Sequence, residues 1–308
     1  MDLRQLNALL AVVEHGGFTA AARATHTVQS NISTHVARLE RELATTLIDR
    51  STGRPTQEGD AVVARARRIQ AELAALQADV SSFSGTPRGT VRLGVIGTTA
   101  RWLTPPLVEH LSAVAPQIEL IVADGTTTSL VLRLVEGDLD LVVVGLPVED
   151  HEVRTVALFD EDYILVAPND HPLARLPVAT VADLARHPLL LAAPRTPSRR
   201  EIDEAFARFG LRAQPKVEID GLRLLASLAF AGFGAAILPS SAAPSWIGGN
   251  WTRVPVEGLG RRRVGLASRR RGMPSAAAQT VDEALRSIIA KEAPTIGGID
   301  LVADANPA

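Results

Sequence analysis

Thr19-Ala-Ala-Ala-Arg-Ala-Thr-His-Thr-Val-Gln-Ser-Asn-Ile-Ser-Thr-His-Val-Ala-Arg-Leu-Glu-Arg-Glu-Leu43 holds two helical patterns separated by a tight break. Thr19 can cap the short Ala-rich helix Ala20 to Ala24, and His26-Thr27 interrupts it. The next helix runs from about Val28 to Leu43, with Val28, Ile32, Val36, Leu39 and Leu43 on one face at spacings of three and four. Its other face carries Gln29, Ser30, Ser33, Thr34 and Arg38. A second helix that is apolar inside and dense in small hydrogen-bonding groups outside is the helix-turn-helix pattern. Gln can pair with adenine, and Ser or Thr can bond base edges or phosphates. An ordinary surface helix is the competing reading, but such a face is usually richer in Glu and Lys.

Upstream, Leu3, Leu6, Leu9, Leu10 and Val13 form an amphipathic helix that Gly16-Gly17 ends. Downstream, Thr46 to Asp49 reads as a short strand. Arg50-Ser-Thr-Gly-Arg54-Pro-Thr56 suits a wing whose two arginines meet phosphates without reading bases.

Beyond the wing, Val62, Ala66, Ile69, Leu73, Leu76, Val80 and Phe83 step by alternating fours and threes. That is a heptad seam, narrow enough to favour pairing with a second chain over packing on a broad core. Ser84-Gly-Thr-Pro87-Arg-Gly89 reads as a hinge. Strands and helices then alternate through Val91–Ile96, Trp102–Val114, Ile118–Ala123, Ser129–Glu136 and Leu139–Val144, which implies a parallel sheet covered by helices. Tyr163–Ala167, Leu189–Ala192, Lys216–Ile219, Ala235–Leu238 and Val264–Ala267 continue the strands. Arg199–Phe209, Leu222–Ala231 and Ser275–Ala290 supply helices, and 294–308 is expected to fray.

The 308 residues suit two domains plus connectors. A net charge of −2 means that any DNA contact must come from a local arrangement. There are no cysteines, so disulfides, thiolate chemistry and zinc–thiolate sites are excluded. No apolar run is long enough to span a bilayer and no signal peptide is read, so a cytoplasmic setting is expected. No metal or cofactor motif stands out. Gly232-Phe-Gly234 is a lone GxG, and nucleophile elbows, zinc-protease motifs and P-loops are missing from the sequence. Arg261-Arg-Arg263 and Arg269-Arg-Arg271 flank a strand and read as solvated turns.

Several stretches together resemble the LysR-type transcriptional regulators. They are Leu3-Arg-Gln-Leu6, Phe18-Thr-Ala-Ala-Ala22, Val28-Gln-Ser-Asn-Ile-Ser33, Arg38-Leu-Glu-Arg-Glu-Leu43 and Thr56-Gln-Glu-Gly59. Arg88-Gly-Thr-Val-Arg-Leu-Gly94, Leu134-Val-Glu-Gly-Asp-Leu-Asp-Leu141, His171-Pro-Leu-Ala174 and Gly232-Phe-Gly-Ala-Ala-Ile-Leu-Pro239 extend the likeness over nearly the whole chain. The resemblance implies an α/β protein with a winged helix-turn-helix at 1–59, a dimerising linker helix and hinge at 60–87, and an effector domain at 88–293. That domain would have two lobes like a periplasmic binding protein, one about 88–161 with 265–293 and the other about 162–264. It also implies promoter DNA as a partner, a homodimer or dimer of dimers, no enzymatic activity and a small molecule between the lobes. By position Gln29, Ser30, Ser33, Thr34 and His35 would face the groove, with Thr19 beside them and Arg38, Arg50 and Arg54 near phosphates. The wing departs from the family: it is a residue or two short, with Pro55 in place of the usual leucine.

Open parallel sheets bind ligands outside the carboxyl ends of their strands, near helix N-termini that favour anions. Those ends fall at Thr98-Thr99, at Thr126-Thr127-Thr128-Ser129 and at Gly145-Leu-Pro147. In the second lobe they fall at Arg195-Thr196 and at Asp220. The hydroxyls could hold an organic anion that Arg195 neutralises, or could merely cap helices. Phe233 or Trp102 could wall the site or belong to the core. The rival to the whole reading is a solute-binding protein or enzyme built on the effector domain alone.

Overall fold

The computed structural model describes residues 1–82, 87–244 and 246–302. Its N-terminal head is α1 (Leu3–Glu14), α2 (Phe18–Ala24) and α3 (Gln29–Leu43), followed by α4 (Gln57–Ser82). Asp2 starts α1 with a capping box that it shares with Gln5. The helices close on Leu6, Leu9, Leu10, Val12, Ile32, Val36, Leu39, Leu47 and Ile48, with Val63 and Ala66 of α4 completing the core. The apolar face of α3 is narrower than expected. Val28 is 65% exposed at the N-cap and Leu43 is exposed at the end, so only Ile32, Val36 and Leu39 are buried. In place of a strand at 46–49 there is a single bridge between Ile48 and Pro55, closed by Asp49 N–H to Arg54 O and Thr56 N–H to Leu47 O.

The second half contains β1 (Gly89–Ile96), α5 (Gly97–Val114), β2 (Ile118–Gly125), α6 (Thr127–Glu136) and β3 (Leu141–Gly145). A 16-residue strand follows, β4 (Val153–Pro168). Next come β5 (Ala179–Thr180), α7 (Val181–Leu184), β6 (Pro188–Ala192), α8 (Pro197–Arg208) and β7 (Gln214–Ile219). They are followed by α9 (Leu222–Phe230), β8 (Ala236–Pro239) and β9 (Trp251–Glu257), and then by β10 (Arg261–Arg269), α10 (Ala276–Glu292) and β11 (Ile299–Leu301).

The strand path β2-β1-β3-β10-β4-β8-β6-β7 bends into two lobes. Lobe I pairs β1 in parallel with β2 and β3, and β10 then inserts antiparallel between β3 and β4. Lobe II pairs β6 in parallel with β7 and β8. The first part of β4 pairs with β10, and residues 163–168 pair with β8 and β9, so one strand belongs to both lobes. Each lobe has its own apolar interior, Val91, Leu93, Trp102, Val143 and Phe159 in the first and Tyr163, Leu165, Leu191 and Phe206 in the second.

Three expectations are corrected. First, α5 begins at Gly97, not near Trp102, which moves Thr98 and Thr99 from a loop into a buried first turn. Second, residues 294–302 are not frayed: Ile296 and Ile299 are buried, and β11 pairs with β4. Apolar side chains at that spacing give the end of the chain something to bury; residues 303–308 lie outside the described ones. Third, the triple-arginine stretch 261–263 is strand, not solvated turn. Its arginines face Asp160, Glu161 and Asp162 directly across the β10–β4 ladder. Phe83 and the hinge residues 84–86 lie outside the described part of the chain.

Candidate nucleic-acid interface and ligand cleft

The exposed face of α3 is ordered by its own short hydrogen bonds. Thr19 donates its hydroxyl to Gln29 Oε1 at 3.1 Å, tying α2 to the first residue of α3. Thr34 donates to the carbonyl of Ser30 at 2.7 Å. Gln29, Ser30, Thr34 and Arg38 are all exposed on this face, and Ser33 is half-buried. His35 departs from expectation. It is half-buried, because three residues after Ile32 and four before Leu39 it sits on the flank of the core-facing stripe. Its Nδ1 is buried with no hydrogen-bond partner among the described residues.

The two wing arginines also separate. Arg50 is drawn onto the head: its guanidinium stacks over Phe18 at 4.6 Å, pairs with Glu40 at 3.0 Å and donates to Ser33 Oγ at 3.3 Å. Glu40 also accepts the N–H groups of Leu47 and Ile48, so this one carboxylate fastens the wing to α3. Arg54 remains exposed at the wing.

The linker helix presents part of its seam to solvent. Val62 and Ala66 pack on the head, whereas Ile69, Leu73, Leu76 and Val80 are exposed, the last two by 60% and 64%. Charged residues fasten a different face of α4 to lobe I. Arg68 donates to the Val135 carbonyl at 2.6 Å and pairs with Glu152 at 2.7 Å, while Arg67 reaches Asp138 at 3.2 Å. Gly137, at φ +86°, ends α6 where any side chain would meet the Arg68 backbone at 3.2 Å.

Between the lobes, the residues divide into helix caps and a buried polar cluster. Thr126 forms a capping box with Ser129, Thr127 accepts the N–H of Gly145 at 3.1 Å, and Thr196 caps α8. Thr128 is exposed, as are Asp220 and Pro147. Arg195 is exposed at φ +73°, and Phe233 is 60% exposed with its carbonyl bound by Lys216. Trp102 is core, edge-on to Phe159 with its indole N–H on Glu292.

The arginine held at the lobe junction is Arg262. It forms a 2.5 Å ion pair with the fully buried Glu161 and reaches Thr98 Oγ1 at 3.2 Å. Glu161 also accepts the N–H of Ser241 at 2.8 Å, which links β4, β10, α5 and the turn Ser240–Ala242. Around this link the hydroxyls of Thr99, Ser240 and Ser241 are buried without a hydrogen-bond partner among the described residues. The start of α5 has no side-chain cap, so its first N–H groups are left as donors. At the outer edge Arg223 of α9 reaches Asp124 of β2 at 3.1 Å, an ion pair between the lobes. The complementary runs Asp160-Glu-Asp162 and Arg261-Arg-Arg263 were the sequence signal for Arg262. Arg223 and the two serines carried none.

A winged-helix head, a linker helix with an unpaired apolar seam and a two-lobed α/β domain define a DNA-binding transcriptional regulator with an effector-binding domain. Residues 3–60 match the bacterial regulatory helix-turn-helix protein, lysR family, and residues 84–289 match the LysR substrate binding domain. The chain belongs to the LysR family of transcriptional regulators. It is 33% identical over 298 residues to a probable hydrogen peroxide-inducible genes activator of Mycobacterium leprae, covering 93% of this chain and 94% of that one. It is 30% identical over 246 residues to the DNA-binding transcriptional dual regulator OxyR of Escherichia coli, covering 79% and 81%. A full-length OxyR from Pseudomonas aeruginosa carrying a cysteine-to-aspartate substitution superimposes with a TM-score of 0.75 at 24% identity, over 99% of both chains. These relatives are regulators, not enzymes. No described helix is long and apolar enough to cross a membrane.

Proposed function

We propose that this chain is a cytoplasmic regulator that binds promoter DNA as a dimer or dimer of dimers and answers to a small organic anion between its lobes. Gln29, Ser30, Ser33 and Thr34 read the groove, with Thr19 ordering Gln29. Arg38 and Arg54 meet phosphates, and Arg50 holds the wing in place. The exposed seam Ile69, Leu73, Leu76 and Val80 takes a second copy of α4. The observation that carries the effector reading is the set of buried, unpartnered hydroxyls at Thr99, Ser240 and Ser241 beside the uncapped start of α5 and the Arg262 guanidinium. Buried polar groups without partners mark a place for a ligand or water.

Relatives named for hydrogen peroxide induction raise a second reading, an oxidation sensor. Oxidation of a thiol to a sulfenic acid or disulfide needs a cysteine, and this sequence has none. The anion reading is therefore favoured. Its test is calorimetric titration of a panel of small carboxylates into the full chain, followed by promoter-DNA binding with and without the best of them. A carboxylate that binds saturably and shifts DNA affinity, with both effects reduced in Ser240→Ala/Thr99→Val, supports the reading. DNA binding that responds to peroxide and to none of the anions would overturn it.

A further inference from the structure

Docking of α4 on lobe I is fixed at two ends and hollow between them. Arg67 and Arg68 make one attachment. At the other, Asp79 accepts the N–H of Ala276 at 2.8 Å, at the start of α10. Between these points α4 turns Ala71, Ala74, Ala75 and Ala78 toward the domain, and side chains one carbon long leave a cavity of about 650 Å³. The far wall comes from the start of β1 and from the turn that follows β10.

Four cations border this cavity, Arg88, Arg92, Arg269 and Arg271, against two acids, Glu72 and Asp140. Arg269 is engaged, donating to the carbonyls of Leu134 and Leu139. The side chains of Arg88, Arg92 and Arg271 hydrogen-bond or ion-pair with no described residue. Asp140 accepts the Arg92 backbone N–H at 2.8 Å, and burial holds its carboxyl above the usual carboxylate range. The wall is thus short of negative charge. It lies at the amino ends of β1 and β3, the opposite end of the sheet from the cleft between the lobes.

We propose that this cavity is a second ligand site, for a small polyanion with at least two phosphate or carboxylate groups, whose occupant braces the linker helix against lobe I. The volume falls within the range of about 300–1,000 Å³ typical of small-molecule sites. Guanidinium forks on two walls match two separate anionic groups, which a single monoanion would not satisfy. Duplex DNA does not fit, because α4 covers one side of the space. Because α4 lies between the head and the effector domain, an occupant would stiffen the contact of the linker helix with lobe I.

The test uses the full chain with inorganic pyrophosphate and, separately, citrate, so that phosphate and carboxylate ligands are distinguished. Isothermal titration should show saturable binding of at least one of them, and the bound form should exchange amide hydrogens more slowly along residues 67–80. Arg92→Ala/Arg271→Ala should weaken binding about ten-fold or more, as expected for loss of two charge-assisted contacts. Arg88→Ala, at a side chain with no hydrogen bond or ion pair among the described residues, should weaken it in the same direction and covers the case in which the double variant unfolds. The proposal is overturned if neither probe binds saturably, if these variants bind as tightly as the parent, or if Thr99→Val in the interlobe cleft abolishes binding while the arginine variants do not.

Discussion

Glu161 and Arg262 stand directly opposite each other on antiparallel strands, forming a 2.5 Å buried ion pair where the chain passes from one lobe to the other. Their neighbours continue the complementarity on the exposed side of the ladder, Asp160 with Arg263 and Asp162 with Arg261. Burial is the largest single influence on the Arg262 guanidinium and opposes its charge, but Glu161, Tyr163 and Glu201 together outweigh this and hold the guanidinium above its usual range.

Removing one partner of this pair is expected to be costly. Arg262→Met leaves Glu161 buried without its cation and should destabilise the effector domain by about 3–5 kcal/mol. Urea unfolding measures this. Glu161→Leu/Arg262→Met should recover much of the loss, since an apolar pair leaves no charge stranded.

Acid should loosen the same ladder from its exposed edge. The hydrogen bond from Arg263 holds the Asp160 carboxyl below the usual carboxylate range. A carboxylate with a lowered folded pKa contributes stability that is present above its unfolded pKa and lost as pH falls through the folded one. Melting temperature measured from neutral pH down to about 2 should therefore fall less steeply for Asp160→Asn than for the parent. The effect is small, because the pair is partly solvated.

At the reading face, Gln29→Ala should cost about 1–3 kcal/mol of discrimination between cognate and scrambled DNA. Arg54→Ala should weaken both DNAs alike and lower the salt slope by about one. Fluorescence anisotropy across a salt series separates the two. Equal losses on both DNAs for Gln29→Ala would remove it from the base-reading set.

The linker seam makes a sharper prediction. Leu76→Glu places a charge at a position that is 60% exposed in one chain and central to the seam. The head should stay folded while light scattering reports a smaller assembly. DNA affinity should fall in parallel, because single heads lose the gain from engaging two half-sites.

What could be read from the sequence followed from periodicity. The spacing of Ile32, Val36 and Leu39 fixed α3, and the steps from Val62 to Val80 fixed α4, because a helix's buried face repeats regardless of what covers it. The βα alternation revealed lobe I for the same reason. Placement at the lobe junction was not legible. Arg195 and Arg262 are both arginines beside strand ends, and only the pairing of β4 with β10 decides that the Arg262 side chain is largely covered while Arg195 is exposed. The half-burial of His35 could not be read from its family position, because it depends on how α1 packs against α3. Ser240 and Ser241 follow a strand as many cap residues do, and their unpartnered burial depends on α5 packing over them.

The strand shared between the lobes also dictates when each part of the molecule can be completed during synthesis. Lobe II is assembled between β4 and β9, but lobe I awaits β10, α10 and β11, which follow lobe II along the chain. The head needs nothing beyond Ala66 for its core. At about 5–20 residues per second, the interval between the two is roughly ten seconds to most of a minute. For that time a nascent chain carries a head whose core is complete, joined to an effector domain whose first lobe is not.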